Sequence, residues 1–485
     1  MSLTLVFSIL FGYYAMLIVV SILTSRNATN ETFFTANRKS PWYLVAFGMI
    51  GSSISGITFV SVPGEVGNSN WAYLQFLLGN FVGYWIIAMV LIPLYYKMNL
   101  ISIYSYLHHR LGVKSYKTGS FFFIISQVIG SSFRLFVVTG VLQLAFFNAI
   151  GIPFWLTAFI TILLIWVYTF KGGIKTVIWT DSLQTIFILL SIAITIFIIG
   201  HHLNLNFKSL LTTIQQDPHS QIFDWNWKSK TNFFKQFIAG LGIVIVMNGL
   251  NQNMMQKSLT CKNPNEAKKN LYYFSFYFII TNLLFLSLGV LLYFYARKTG
   301  IMLPAKSDDL FPTLAINNFG VLAGIVFLLG ITATAYSSAD SALTALTTAF
   351  CIDILNFSSS SSDRKNTRLG VHIGFSILMF LVIVLFRMIK NESIITLVFK
   401  VAGYTYGPLL GLFAFGLLTH RTLRDRYVPY VCILSPILTY IINNNSEAWL
   451  WGYKFGFELL ILNGLLTFIG LWILSIKQPI LTHKD

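Results

Sequence analysis

Four stretches of this chain set oxygen-bearing or charged side chains inside otherwise apolar sequence. The first runs from Gly48 through Gly51, Ser52, Ser53, Ile54, Ser55 and Gly56 to Thr58. So many glycines and serines make a poor continuous helix. A break there frees backbone carbonyls, which are tolerated at membrane depth only where they line a site or are buried in protein. A small-residue face for packing a neighbouring helix is the competing reading. The second stretch, Ile331 to Ser341, repeats Thr334, Ser338 and Ser341 at helical spacing with Ser337 beside them, so their oxygens share one face. Hydroxyl and carbonyl oxygens are hard ligands for a hard cation, and little formal charge suits a monovalent ion held reversibly. Serines bonded back to their own helix are the alternative, and Asp340 within the cluster weighs against it.

The third stretch, Gly172-Gly173 through Lys175 and Thr180 to Asp181 and Gln184, reads as a tight turn entering a span, with Asp181 one to two turns inside. The fourth is Arg134, near the middle of an apolar run. An arginine at helix centre costs about 2.5–3.5 kcal/mol on insertion scales, so it faces a partner or a wet cavity. Two readings stay open: Arg134 pairs with an internal acid such as Asp181, or it receives an anionic solute.

The composition says what positions these groups. Of 485 residues 55% are hydrophobic and 10% charged, with 44 Phe and a mean hydropathy of +0.71. Soluble proteins carry about 25% charged residues, which excludes a soluble enzyme, a nucleic-acid binder and a disordered scaffold. The net charge of +17 sits in short loops between apolar runs rather than on one soluble face. Cys261, Cys351 and Cys432 match no metal spacing and no disulfide framework. The first apolar run, from Leu3 to Leu23, has no basic residue before it and no cleavage site after it, and is read as a retained helix.

An all-α polytopic membrane protein follows, with about thirteen transmembrane helices of about 20 residues each. They are expected near 3–23, 42–67, 71–96, 118–150, 152–170, 177–200, 233–255, 271–296, 312–356, 367–389, 393–419, 427–444 and 453–476. With the N-terminus outside and the C-terminus cytoplasmic, about 21 Lys and Arg fall inside against about 8 outside, Lys257 counted among the inside loops. The serine run Ser358 to Ser362 reads as a flexible cytoplasmic connector, and 201–232 as a packed external loop.

Together these stretches resemble the sodium/solute symporter family, whose members carry sugars, sialic acid, proline, iodide, pantothenate and other small solutes. The resemblance spans nearly the whole chain. It is carried by Phe33-Phe34-Thr35-Ala36-Asn37-Arg38 with Pro41-Trp42-Tyr43, and by Gly172-Gly173 through Asp181 and Gln184. Asn251-Gln252 with Met255-Gln256-Lys257, and Ser337 to Ser341 leading to Asp353, complete it. It implies an inverted-repeat (5+5) core with discontinuous helices near the midplane. The repeats would cover 42–200 and 233–419, with one extra helix within 1–41 and two within 420–485. The family's main sodium site falls on the carbonyls of Gly51, Ile54 and Thr334 and the hydroxyls of Ser337 and Ser338. A second sodium, present in some members, would use Asp181, Ser341 and Asp340, the last standing where those members have serine.

The resemblance also bears on the solute. The polar and aromatic positions of the sugar carriers fall here on Val244 and Met247, and their acid-amide pair on Ile57 and Thr58. The sialic-acid pattern is matched by Ser55, Thr58 and Arg134, and by Gln75 with a shift of register. A guanidinium fork suits a carboxylate. One charge moved inward is worth about 2.3 kcal/mol per 100 mV, so a second sodium would restore the electrical drive that one sodium with one anion forfeits. The expectation is a sodium-coupled importer of a carboxylated solute such as sialic acid, in the plasma (inner) membrane. Its coupling ion is Na+ (one or two), and its partners are the solute and membrane lipid. No organic cofactor, nucleic acid or obligate protein partner is expected. A carrier of a neutral sugar or metabolite, with Arg134 paired to Asp181, is the nearest rival. An integral-membrane enzyme built on His108-His109 or His201-His202, or a sensor, is the more distant one.

Overall fold

The computed structural model describes residues 3–26, 28–143, 147–227, 229–357, 364–388, 394–449, 455 and 458–476, with the backbone alone at 3, 149 and 394–400. The Ser358 to Ser362 connector, Lys477 and Lys484 lie outside the described residues.

The apolar runs fold as helices α1 (Leu3–Thr24), α2 (Trp42–Ser53), α3 (Gly56–Ser69), α4 (Tyr73–Ile86), α5 (Val113–Leu142), α6 (Phe154–Thr169), α7 (Ile174–His202) and α8 (Phe233–Val244). They continue as α9 (Gln252–Ser258), α10 (Pro264–Thr299), α11 (Gly320–Ala349), α12 (Lys365–Met388), α13 (Ile394–Leu418), α14 (Val428–Asn444) and α15 (Leu459–Leu474). Among the described residues eight helices are long and apolar enough to cross a membrane, or ten when each bent pair is taken as one span. Helices α6 and α15, of 16 residues each, and α14, of 17, are shorter. The chain is a multi-pass membrane protein. Its only described strands, Thr422–Leu423 and Ser475–Ile476, form one short antiparallel pair.

Two spans are not continuous. Helices α2 and α3 meet at 66°, and α8 with its π-turn (Ile245–Gly249) meets α9 at 73°. The run expected at 312–356 also divides: a short helix, Leu310–Asn317, ends before Gly320, whose φ of +81° lets the chain turn into α11.

Small residues set the helix spacing. A Cβ on Gly79 of α4 would lie 2.0 Å from the Phe237 carbonyl of α8, and one on Gly240 would lie 2.1 Å from the Phe76 carbonyl. The backbones of α4 and α8 therefore nearly touch, as small-residue crossings in membranes allow. Helix α7 packs against both α2 and α11, and α5 against α11 and α13. The Gly/Ser/Thr stretch of α2 thus meets the polar stretch of α11 with Asp181 of α7 beside both.

The loop at 201–232 is ordered by its own polar contacts. Asn206 caps a helix over Phe207–Gln216, and Asp217 pairs with both His219 and Arg297. Burial alone would raise the Asp217 carboxyl. Hydrogen bonds from the His219 backbone and ring and the Arg297 guanidinium outweigh it and hold the carboxyl below the usual range.

Candidate functional site: a helix break against two polar spans

After Ser53 the backbone leaves helical geometry. Ile54 (φ −85°, ψ 103°) and Ser55 (φ −82°, ψ 164°) are extended before α3 begins. The Thr58 amide then donates to Ser55 Oγ at 3.3 Å, so it is turned away from the Ile54 carbonyl that a continuous helix would give it. A helix end of this kind leaves its last carbonyls without intrahelical donors. The break holds two opposite orphan sets, carbonyls closing α2 and amides opening α3.

Neighbouring helices press on this break. The Gly51 amide donates to Thr185 Oγ1 at 3.0 Å, and Thr185 Oγ1 donates to the Asp181 carbonyl at 2.7 Å. A Cβ at Gly51 would stand 2.6 Å from Thr185 Oγ1 and 3.3 Å from Ser337 Oγ, and one at Gly56 would stand 3.6 Å from Thr334 Oγ1. Gly51 thus adjoins Ser337, and Gly56 adjoins Thr334. Both glycine positions serve close approach, as the packing reading of this stretch expects.

The hydroxyls of α11 are buried and have placed their protons. Thr334 donates to the Ile331 carbonyl at 2.8 Å, Ser338 to the Ala335 carbonyl at 3.0 Å, and Ser337 to Asp181 Oδ1. A hydroxyl oxygen that has donated still offers lone pairs. Such oxygens, with the carbonyls of the break, form a hard and nearly uncharged donor set suited to an alkali cation.

Asp181 is where the structure corrects the sequence reading. Its Oδ2 lies 2.6 Å from Lys257 Nζ, with both side chains buried, so Asp181 is paired with Lys257 and not with Arg134. Lys257 is a buried residue of α9 rather than a loop residue. Its misreading has a plain cause, since it closes an apolar run where snorkelling lysines are common. Ser341 Oγ approaches Asp181 Oδ2 at 3.4 Å and Asp340 Oδ1 at 3.2 Å. Asp340 Oδ2 accepts from Tyr168 Oη at 2.9 Å and from Thr180 Oγ1 at 3.4 Å. Two carboxylates and one ammonium thus share a buried cluster, joined by Ser337 to the helix break. Tyr168 and Thr185 were not singled out in the sequence, although Thr185 sits four residues past Asp181 on the same face of α7.

The residues expected around a solute are not all brought together. Ser55 and Thr58 hydrogen bond to each other at 3.1 Å within the break. Arg134 lines a cavity between α5, the Ile245–Gly249 turn and α13, shared with Gln127, Met247 and Tyr406. Val138, one turn beyond Arg134, supplies the nearest atom to a Cβ built on Gly56, so that face of α5 adjoins the break. Gln75 lies apart from these. Its amide donates to the Thr231 carbonyl at 2.9 Å and accepts from the Asp224 amide at 3.3 Å, holding the 201–232 loop.

Known proteins share both sequence and architecture with this chain. The Sodium:solute symporter family model matches residues 33–425. The sodium/sialic acid symporter NanT of Aliivibrio fischeri is 27% identical over 440 residues, covering 86% of this chain and 84% of that protein. The sodium/sialic acid symporter SiaT of Proteus mirabilis is 27% identical over 430 residues, covering 86% and 85%. A solved structure of a Na+-coupled sialic acid symporter, substrate-bound and outward-open, superposes with a TM-score of 0.82 at 21% identity, covering 96% of this chain and 97% of that one. At that identity it establishes the fold alone. The match across most of the sequence, on a fold with two broken spans and an oxygen-lined break, places the chain in the sodium:solute symporter family.

Proposed function

We propose that this chain is a sodium-coupled symporter that imports a small carboxylated solute of the sialic-acid class by alternating access. Supporting the class are the family and its transporter relatives, two of them sodium/sialic acid symporters. Supporting a carboxylated solute is one observation above all: Arg134 has no hydrogen bond or ion pair among the described residues and faces a cavity. The neutral-solute reading needed Asp181 to neutralise Arg134, and Lys257 already holds Asp181.

The main sodium in this reading is held by the carbonyls of Gly51, Ile54 and Thr334 and the hydroxyls of Ser337 and Ser338. Ser55 and Thr58, at the head of α3, and Arg134 take the solute. Gln75 acts on it only through the loop it secures. A second cation would sit at Asp340 and Ser341, with Asp181 shared with Lys257. The repeats are read as 42–200 and 233–419, each opening on one of the broken spans. With Lys257 withdrawn from the loops, about 20 basic residues remain on the inner side against about 8, which supports a cytoplasmic C-terminus in the plasma (inner) membrane.

Arg134→Lys keeps the charge and loses the planar fork. In purified protein it should weaken N-acetylneuraminate binding about tenfold or more, while sodium binding without solute stays within about twofold, tenfold being about 1.4 kcal/mol. Equal losses of both would set the carboxylate reading aside.

A further inference from the structure

The cavity at Arg134 is small, about 30 Å³. That is room for roughly two waters and far too little for a sugar acid. In this conformation the cavity admits something of atomic size, and the charge on its lining says what sign that is.

Asn251 fixes the lining. Its Oδ1 accepts the Asn253 amide at 2.8 Å, capping α9, while its Nδ2 donates to Gln127 Oε1 at 3.3 Å and to Tyr406 Oη at 3.0 Å. With their oxygens turned to Asn251, Gln127 keeps its amide N–H groups to give and Tyr406 its hydroxyl proton. The nearby Ser126 and Ser131 hydroxyls donate to the Phe122 and Gln127 carbonyls at 2.6 and 2.5 Å. The Arg134 guanidinium, the Gln127 amide and the Tyr406 hydroxyl have hydrogens left to give, and Arg134 carries the one formal charge among the lining residues. Among the described residues no acidic side chain lines the cavity. A guanidinium in a narrow, partly enclosed cavity with no counter-charge is costly.

We propose that in the absence of solute this cavity binds one small monovalent inorganic anion, chloride under ordinary ionic conditions, between Arg134, Gln127 and Tyr406, and that the carboxylate of the solute displaces it. The site itself stands on the donor lining; the displacement step rests on the reading of Arg134 as the solute's anchor. Chloride then acts as a placeholder. It keeps the unloaded carrier's half-buried arginine neutralised, and it makes solute binding an exchange of one anion for another.

The test uses the full chain, purified in detergent with sodium held constant. Thermal stability is followed against chloride, bromide and sulfate, because only an ion that binds the folded state raises it saturably. Chloride and bromide should each give a saturable rise in Tm. Sulfate, larger than the cavity, should give none. Arg134→Gln should abolish the saturable rise, and Tyr406→Phe, which keeps the ring, should shift its midpoint several-fold to higher chloride. Raising chloride should weaken N-acetylneuraminate binding several-fold in the wild type. Equal, non-saturating effects of all three salts would mean that the cavity holds water alone and would overturn the proposal, as would a chloride response that survives in Arg134→Gln. A saturable chloride response lost in Arg134→Gln, without competition from N-acetylneuraminate, would uphold the anion site and overturn Arg134 as the solute's anchor.

Discussion

Lys257 Nζ lies 2.6 Å from Asp181 Oδ2, and Asp181 Oδ1 accepts the hydroxyl of Ser337. One carboxylate thus joins a lysine of α9, within the second broken span and just past its break, to a serine of α11 that faces the first break. Any ion held by Ser337 shares its oxygen shell with a residue already committed to an ammonium. The relationship ties the two discontinuous spans together through a single buried side chain.

Removing one partner of that pair should be severe, because it strands the other charge. Asp181→Asn or Lys257→Met should each lower stability by about 3–5 kcal/mol, and the double replacement should recover much of the loss. Chemical or thermal denaturation of the purified variants reads this directly. A double variant no more stable than either single would contradict the pairing.

Gly51 should tolerate no side chain. A Cβ there meets Thr185 Oγ1 at 2.6 Å and Ser337 Oγ at 3.3 Å, and overpacking of this kind typically costs about 1–3 kcal/mol. Gly51→Ala should also weaken sodium binding, because it pushes apart the carbonyl and hydroxyl assigned to the ion. Gly370, whose added Cβ would meet nothing within 4 Å, is the control. Equal sodium affinity in the Gly51 and Gly370 alanine variants would count against the site.

Ser338 separates ion binding from structure better than Ser337 does, since its hydroxyl donates only to its own helix, at the Ala335 carbonyl. Ser338→Ala should raise the sodium concentration for half-maximal uptake about tenfold, roughly 1.4 kcal/mol, with little change in Tm. Ser337→Ala should change both, because it also strips a donor from Asp181. Unchanged sodium dependence in Ser338→Ala would remove that hydroxyl from the site.

The Asp217 contacts predict a pH effect of definite sign. The folded carboxyl sits below its unfolded value of about 3.9, so its contribution is present above that value and is lost as pH falls through the lower folded one. Asp217→Asn should therefore lower Tm at neutral pH, and the gap to wild type should narrow below about pH 4. A gap that is constant with pH would mean that the ionised carboxylate, with its His219 and Arg297 partners, contributes nothing.

Much of this architecture can be read from the chain alone, because lipid imposes long apolar helices and small residues mark where they cross. The break after Ser53 is legible in the run of glycine, serine and threonine that no stable helix would choose. Asn251-Gln252 is legible as a motif, but its contacts are not. Gln252 bonds the Ile101 carbonyl and the Ile103 amide, and Asn251 ties α5 to α13. Lys257 was not legible, since its partner is 76 residues away and only packing brings them together. Gln75 failed for the converse reason. A buried glutamine on the expected helix looks like a solute ligand until the 201–232 loop is seen to occupy both ends of its amide.

Transport driven by sodium is the property on which the site assignments converge. Purified chain in liposomes, given labelled N-acetylneuraminate and an inward sodium gradient, should accumulate the label above equilibrium and fail to do so when potassium replaces sodium. Accumulation that is the same with potassium, or that follows a proton gradient instead, would contradict sodium-coupled transport of a carboxylated solute.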